Sequence, residues 1–350
     1  MILTKTPLRV SLFGGGTDYP EFFNKVPGAV LGMAIDKFCY VGVKHMPPGQ
    51  ESTPGTPLRY RVQYSKVDDC SEIEQIQHPA VRAALHHLKV ESDVRLEFHC
   101  FSDLPGRSGL GGSSAFAVGV LHALRALLRR GYYAKDLGGP YERPINHADL
   151  AAEAIYLEQH VIKETVGCQD QVFAAYGGLN LITFTSVSPR TVTPIKMDEK
   201  RLQELEQSLV LVFSGTMRDA HLMAAKQVAQ IPDKMTTLIK MAGMARVGAE
   251  ILADPKRPLS ELGEMLDEAW RLKRELCPEV TNNQIQSLYL RGKALGALGG
   301  KLLGAGGGGF FLFFVPPELQ ERFKLGIDAP CITFRVAPRG SCIIIQEEER

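Results

Sequence analysis

The sequence predicts an α+β fold in two domains. Three observations carry the prediction. The chain has 350 residues, more than one core usually organises. Its first half alternates β-branched, aromatic-rich runs with runs of helical periodicity. After residue 190 or so, long amphipathic helical patterns dominate, with short apolar runs between them. The expected division is 1–188 and 189–350.

Four runs in the first half have strand composition: 38–46 (FCYVGVKHM), 59–65 (RYRVQYS), 94–101 (VRLEFHCF) and 179–185 (LNLITFT). One helix is expected from Ser113 or Ser114 to Arg130, with Val118, Leu121, Leu124 and Leu128 at helical spacing. A second is expected over 147–163, with Asn146 as N-cap and Leu150, Ala154, Leu157 and Val161 on one face. In the second half the helical patterns cover 218–230, 234–253, 259–276 and 282–298, punctuated by Pro232, Pro255, Pro258 and Pro278. Apolar runs at 209–214, 310–315, 331–336 and 341–346 flank them, which suggests a second sheet.

Composition excludes several classes. Hydrophobic residues make up 45% and charged residues 23%, and the net charge is +1. Such a chain has no global field to recruit nucleic acid or a membrane. Seven cysteines without a CxxC pair, and nine histidines without HExxH spacing, disfavour a disulfide framework and structural zinc. MILTKTPLRV lacks a signal-peptide core, and FFLFFV is far too short to span a bilayer. A reduced, cytoplasmic, soluble protein is expected.

Glycine clusters occur at three stations: SLFGGGTDY (11–19), LPGRSGLGGSSAF (104–116) and KLLGAGGGGFFLFF (301–314). The middle one runs into a helix. Glycines let backbone N–H groups approach a ligand, and a helix start adds unpaired donors and partial positive charge. Together they suit a phosphate. Ser113 and Ser114 can add hydroxyls there, and either can also be a plain N-cap. A P-loop is excluded, because no GxxxxGK[ST] string occurs. Gly304, Gly306 and Gly309 match GxGxxG, but a helix-like segment precedes them and a strand-like one follows, the wrong order for a dinucleotide site.

The acidic candidates are few. Asp170, in GCQDQVFAAYGG (167–178), is read in a polar loop, where it can accept a hydroxyl proton or cap the loop. Glu158, on the preceding helix, is a candidate magnesium ligand or a solvated charge. Asp18 can bind sugar hydroxyls or cap the next helix. Arg9 is an isolated cation in an apolar strand and needs an anionic partner, a phosphate or a carboxylate.

These three stations, in this order, resemble the GHMP kinases, small-molecule kinases of the galactokinase, homoserine kinase and mevalonate kinase group. The first motif is similar at Pro7, Arg9 and Gly14 through Tyr19, the second at Pro105 through Ala115, the third at Lys301 through Gly309. The resemblance covers nearly the whole chain. It implies a two-domain fold with ATP and substrate between the domains. It implies that Pro105, Gly106, Gly109, Leu110, Gly111, Gly112, Ser113 and Ser114 surround the ATP phosphates. It implies Mg²⁺ on Ser113 (or Ser114) and Glu158, and Asp170 and Arg9 at the reacting centre. Gly14, Gly15, Gly16, Thr17 and Asp18, with Gly306 and Gly307, would meet the substrate.

One departure bears on the substrate. The galactokinase motif GEHTDY reads GGGTDY here, so glycines replace the Glu and His that contact galactose. GGGTD with GCQDQ looks most like the heptose kinases, which phosphorylate D-glycero-D-manno-heptose 7-phosphate on its anomeric hydroxyl for nucleotide-activated heptose and surface polysaccharide. An anionic sugar phosphate needs a cation, and Arg218 is the candidate. The alternatives are a kinase for a neutral sugar such as fucose or mannose, and a catalytically silent sensor of sugar and ATP. The sequence leaves the oligomeric state open; a homodimer is compatible with it.

Overall fold

The computed structural model describes residues 1–47, 49–53, 55–90, 94–129, 145–187, 190–217 and 220–346. The fold is organised on one long strand, Gly28–His45, of 18 residues. Along one edge it pairs with Ile2–Phe13. Along the other it takes two partners in succession: Leu179–Phe184 against residues 28–33 and Leu96–Ser102 against residues 39–45. Tyr60–Gln63 and Val67–Cys70 extend the sheet beyond Leu96–Ser102, and Thr191–Pro194 extends it beyond Leu179–Phe184. The pairing of Tyr60–Gln63 with Leu96–Ser102 is parallel; the others in this sheet are antiparallel.

The strand reading at 38–46 caught only the second half of the long strand. Its first half, GAVLGMAI, is buried without alternation. Leu31 meets helix Met235–Ala253 at Gly248, and the next residue, Gly32, meets Phe173 of helix Gln169–Tyr176. Successive residues point to opposite faces, so helices cover both sides here and the period-2 signal vanishes.

The second sheet runs in the order Gly299–Leu302, Phe310–Phe314, Leu209–Phe213, Cys331–Ile332. It too is buried on both faces. Leu209, Leu211, Leu312 and Phe314 belong to the main core shared with the first sheet, while Val210, Val212, Phe311 and Phe313 pack in a second cluster around Trp270 and Phe323. A cut at 188/189 would part the first sheet from two of its own strands, Thr191–Pro194 and Cys342–Gln346, and would run through the core that the two sheets share.

Four expectations need correction. The run at 341–346 does form a strand, Cys342–Gln346, but it pairs with Ile2–Lys5 and so belongs to the first sheet. The run at 331–336 is a strand only at Cys331–Ile332, since Val336 makes an isolated bridge to Ile35. The helix at 147–163 is α-helical over His147–Tyr156 and then π-helical over Leu157–Ile162. Asp170 lies in the first turn of helix Gln169–Tyr176, which sequence reading took for a loop. That helix has only eight residues, too few to show a period. Asn146 caps as expected, its side chain accepting from Asp149 N at 2.8 Å.

Candidate active site

Arg9 projects from strand Ile2–Phe13 into a cleft lined by all three glycine stations. Its guanidinium forks onto Asp170, with Nε donating to Oδ1 at 2.8 Å and Nη2 to Oδ2 at 2.7 Å. Nη1 donates to the Gly109 carbonyl at 2.5 Å. The partner that an isolated buried arginine requires is thus a carboxylate, held in the bidentate geometry that suits guanidinium best. Two residues picked separately from the sequence form one unit.

The middle station bends through Gly109 and Gly111, both at positive φ, and opens helix Gly112–Leu128. Gly111, left-handed at φ +72°, is the N-cap, so neither serine caps the helix. A Cβ on Gly111 would stand 3.0 Å from Arg9 Cγ and 3.3 Å from Asp170 Oδ2. The helix start therefore abuts the Arg9–Asp170 pair. Gly112 differs: its backbone is not left-handed, and a Cβ there would meet nothing within 4 Å. Gly112 and Ser113 line the cleft, so the helix start with its unpaired N–H groups borders the space where an anion can sit. Leu110 is buried, and Pro105, Gly106 and Leu110 do not line the cleft.

Ser113 Oγ donates to Glu158 Oε1 at 3.4 Å, and Ser114 also bonds to this carboxyl. Gln171 Nε2 donates to Oε2 at 2.5 Å. Glu158 is buried among these neutral groups, and burial pushes its carboxyl up to about 8. The π-helical turn carries Glu158. Such turns are rare and concentrate at functional sites. Hydroxyl and carboxylate oxygens are hard ligands of the kind Mg²⁺ takes. Among the described residues no cluster of three His, Cys, Asp or Glu forms a protein-only cage. The donor set thus fits an ion that completes its shell with phosphate oxygens and water.

Asp18 is buried. Its Oδ1 accepts from Gly16 N at 3.0 Å and its Oδ2 from Gln169 N at 3.2 Å. It does not cap the helix that follows it, Pro20–Phe23. It reaches instead to the start of the helix bearing Asp170. Burial, then the charge of Asp170, raises its pKa. A Cβ on Gly167 would fall 1.9 Å from Asp18 Oδ2, so that contact requires glycine.

The remaining candidates separate clearly. Gly15 and Gly16 line the cleft. Gly14 packs on Ala29, and the buried Thr17 hydroxyl bonds to the carbonyls of Gly14 (2.8 Å) and Ala29 (3.0 Å), so both act behind the loop. Gly306 and Gly307 lie against Val280, and the third station reaches the cleft through Gly304 and Ala305 instead. This station joins strands Gly299–Leu302 and Phe310–Phe314, a hairpin, which is again the wrong context for a dinucleotide fingerprint. Arg218 lies outside the described residues.

Two lysines of the cleft, Lys273 and Lys301, were given no role by the sequence reading. Lys301 Nζ donates to the carbonyls of Ser11 (3.0 Å) and Leu12 (2.9 Å). Lys273 Nζ donates to those of Leu302 (2.8 Å) and Gly304 (2.5 Å). Burial, then the charge of Arg9, pushes Lys301 down to about 7. Burial, then Lys301 and Arg9, holds Lys273 well below its ordinary value. For Lys273 the apolar Ala269, Trp270 and Leu276 at helical spacing hinted at burial; Lys301 lies in strand Gly299–Leu302, where no such period applies.

Comparison with known proteins bears on the family and the fold. A model of the GHMP kinases N terminal domain matches residues 78–178, and one of the GHMP kinases C terminal region matches 252–332. The chain is 27% identical over 321 residues to D-glycero-alpha-D-manno-heptose 7-phosphate kinase of Campylobacter jejuni, covering 90% of each. It is 28% identical to the bifunctional fucokinase/GDP-fucose pyrophosphorylase of Arabidopsis thaliana, over 91% of this chain and 30% of that one. In fold it matches a D-glycero-D-manno-heptose 1-phosphate kinase of Bacteroides thetaiotaomicron, with a TM-score of 0.69, 21% identity, and coverage of 99% and 100%.

Proposed function

The chain belongs to the GHMP kinases, and from that premise we propose that it transfers the γ-phosphoryl group of ATP to the anomeric hydroxyl of D-glycero-D-manno-heptose 7-phosphate. The observation that carries the reading is that Asp170, forked by Arg9, shares one cleft with the helix start at Gly111 and Gly112. It sets a proton acceptor beside an anion site. The name of the Campylobacter jejuni relative supports the sugar. The product, an anomeric phosphate, is a form that nucleotide activation for surface polysaccharide would consume. Among the described residues no helix is long and apolar enough to cross a membrane. A cytoplasmic site of action and a homodimer are parts of the proposal.

Phosphoryl transfer passes through a loose transition state, so positioning and charge stabilisation do most of the work. Asp170 orients the acceptor hydroxyl and takes its proton. Arg9 fixes the Asp170 carboxylate through two N–H groups and offsets charge on the moving phosphoryl group. The N–H groups at the start of helix Gly112–Leu128 hold phosphate oxygens. Ser113, Ser114 and Glu158 would hold Mg²⁺, which neutralises phosphate charge when bound.

The test is a coupled ATPase assay across mannose, fucose, galactose and D-glycero-D-manno-heptose with and without its 7-phosphate, with products identified by phosphorus NMR. A new anomeric phosphate on the heptose 7-phosphate is expected. Equal turnover on unphosphorylated fucose would favour the neutral-sugar reading that the Arabidopsis relative suggests.

A further inference from the structure

Two buried oxygens of the cleft have no partner. Ser11 Oγ and Gln169 Oε1 make no hydrogen bond among the described residues, although the two residues are only 6% and 8% exposed and both line the cleft. Buried polar atoms are normally satisfied, so two orphans in one cleft call for a ligand. The orientation of the amide follows from its neighbour. The Gln169 side chain bonds to the Asp18 carboxylate, which can only accept, so Nε2 faces Asp18 and Oε1 is left as an acceptor.

Their positions relate to the reacting pair. Ser11 is two residues beyond Arg9 on strand Ile2–Phe13, so both side chains share a face. Gln169 immediately precedes Asp170. Gly15 lies beside both orphan-bearing side chains: a Cβ there would stand 3.6 Å from Ser11 Oγ and 3.7 Å from Gln169 Nε2. Those are ordinary contact distances, and the Gly15 backbone is not left-handed. Neither packing nor conformation demands glycine at 15; room for a ligand does.

We propose that Ser11 and Gln169 together read one hydroxyl of the acceptor sugar, the one adjacent to the hydroxyl that meets Asp170. Its hydrogen is donated to Gln169 Oε1, and its oxygen accepts from the Ser11 hydroxyl. Gly15 leaves the space for the ring carbon that bears it. For transfer to the anomeric position this is the 2-hydroxyl. The inference rests on the sugar-kinase reading above and adds the specificity residues to it. Ser11 and Gln169 select and position the substrate; Asp170 remains the group that meets the reacting atoms.

The experiment compares wild type, Ser11→Ala and Gly15→Ala on D-glycero-D-manno-heptose 7-phosphate and its 2-deoxy analogue, with apo Tm measured alongside. Ser11→Ala should raise KM for the sugar about tenfold, the worth of one hydrogen bond, and leave KM for ATP unchanged. The penalty should vanish on the 2-deoxy analogue. Apo Tm should hold or rise, because an orphan hydroxyl has been removed. Gly15→Ala should raise KM for the sugar with Tm equal or higher. An unchanged KM in Ser11→Ala, or the same penalty on both sugars, would overturn the proposal while leaving wild-type turnover intact. If the kinase reading itself were wrong, wild type would turn over neither sugar. Sugar-induced Tm shifts then decide: a wild-type shift that Ser11→Ala abolishes supports the pair, and no shift overturns it.

Discussion

Asp170 is held by two N–H groups of Arg9 on its oxygens, and a side chain on Gly111 would crowd one of them. Asp170→Asn removes the charge, sets an amide N–H against a guanidinium N–H, and leaves Arg9 nearly buried. With the Asp170 side chain 23% exposed, the loss of stability should be about 1–3 kcal/mol, below that of a fully buried pair. The kcat should fall by about 10²–10⁴, and a kcat within threefold of wild type would remove Asp170 from the chemistry. Glu158→Gln keeps the shape of a side chain whose partners are neutral. Half-saturating Mg²⁺ should rise about tenfold or more with Tm maintained, and unchanged Mg²⁺ dependence would reject Glu158 as a ligand. At this scale Arg9 was legible as a lone cation in an apolar strand, and Asp170 and Glu158 as acidic residues beside the motifs that resemble the family. Ser11 and Gln169 were not, since only the third dimension shows that their oxygens lack partners.

Adjacent glycines in the middle station do different work, and substitution separates them. Gly111→Ala forces a side chain into the left-handed region and against Arg9, costing about 1–2 kcal/mol from the backbone alone. Gly112→Ala sits at a helical φ in open space, so stability should rise by about 0.5–1 kcal/mol through helix propensity. Its KM for ATP should nonetheless increase, because the methyl enters the cleft beside the helix start. Calorimetry and steady-state kinetics on the two variants check this. An unchanged KM for ATP in Gly112→Ala would place the phosphates elsewhere. The 147–163 segment shows the limit of periodicity. Apolar spacing carries the helix through, but the switch to π geometry at Leu157 that places Glu158 leaves no trace in a 3.6-residue pattern.

The fold as a whole buries bases as well as acids, and that sets its response to pH. Burial pushes His78 and His122 each down to about 4, helped at His122 by the charge of His147 and opposed at His78 by Asp68. Between pH 6.5 and 4 the unfolded chain therefore binds more protons than the folded one. The stability these two provide is complete above pH 6.5 and is lost as pH falls through that window. Glu158, raised to about 8, acts in the opposite sense between pH 8 and 4.5, so a single variant is needed to isolate a histidine. In His122→Gln, which keeps a polar group for Ser341 Oγ, the fall in Tm between pH 6.5 and 4 should be shallower than in wild type. An identical slope would show that His122 does not titrate there.

By itself the sequence determined the fold class, most of the helices, and three glycine stations whose order implied the family. Those properties live in local spacing: apolar period, turn chemistry, and glycine where φ must be positive. Only the tertiary structure decided that Arg9 and Asp170, 161 positions apart, are one ion pair. It alone returned the last strand to the first sheet and turned Asp18 toward the Asp170 helix. It also withdrew Thr17 and Gly306 from the cleft. Contacts between distant segments depend on how two sheets share a core, and residue spacing along one chain does not carry that information.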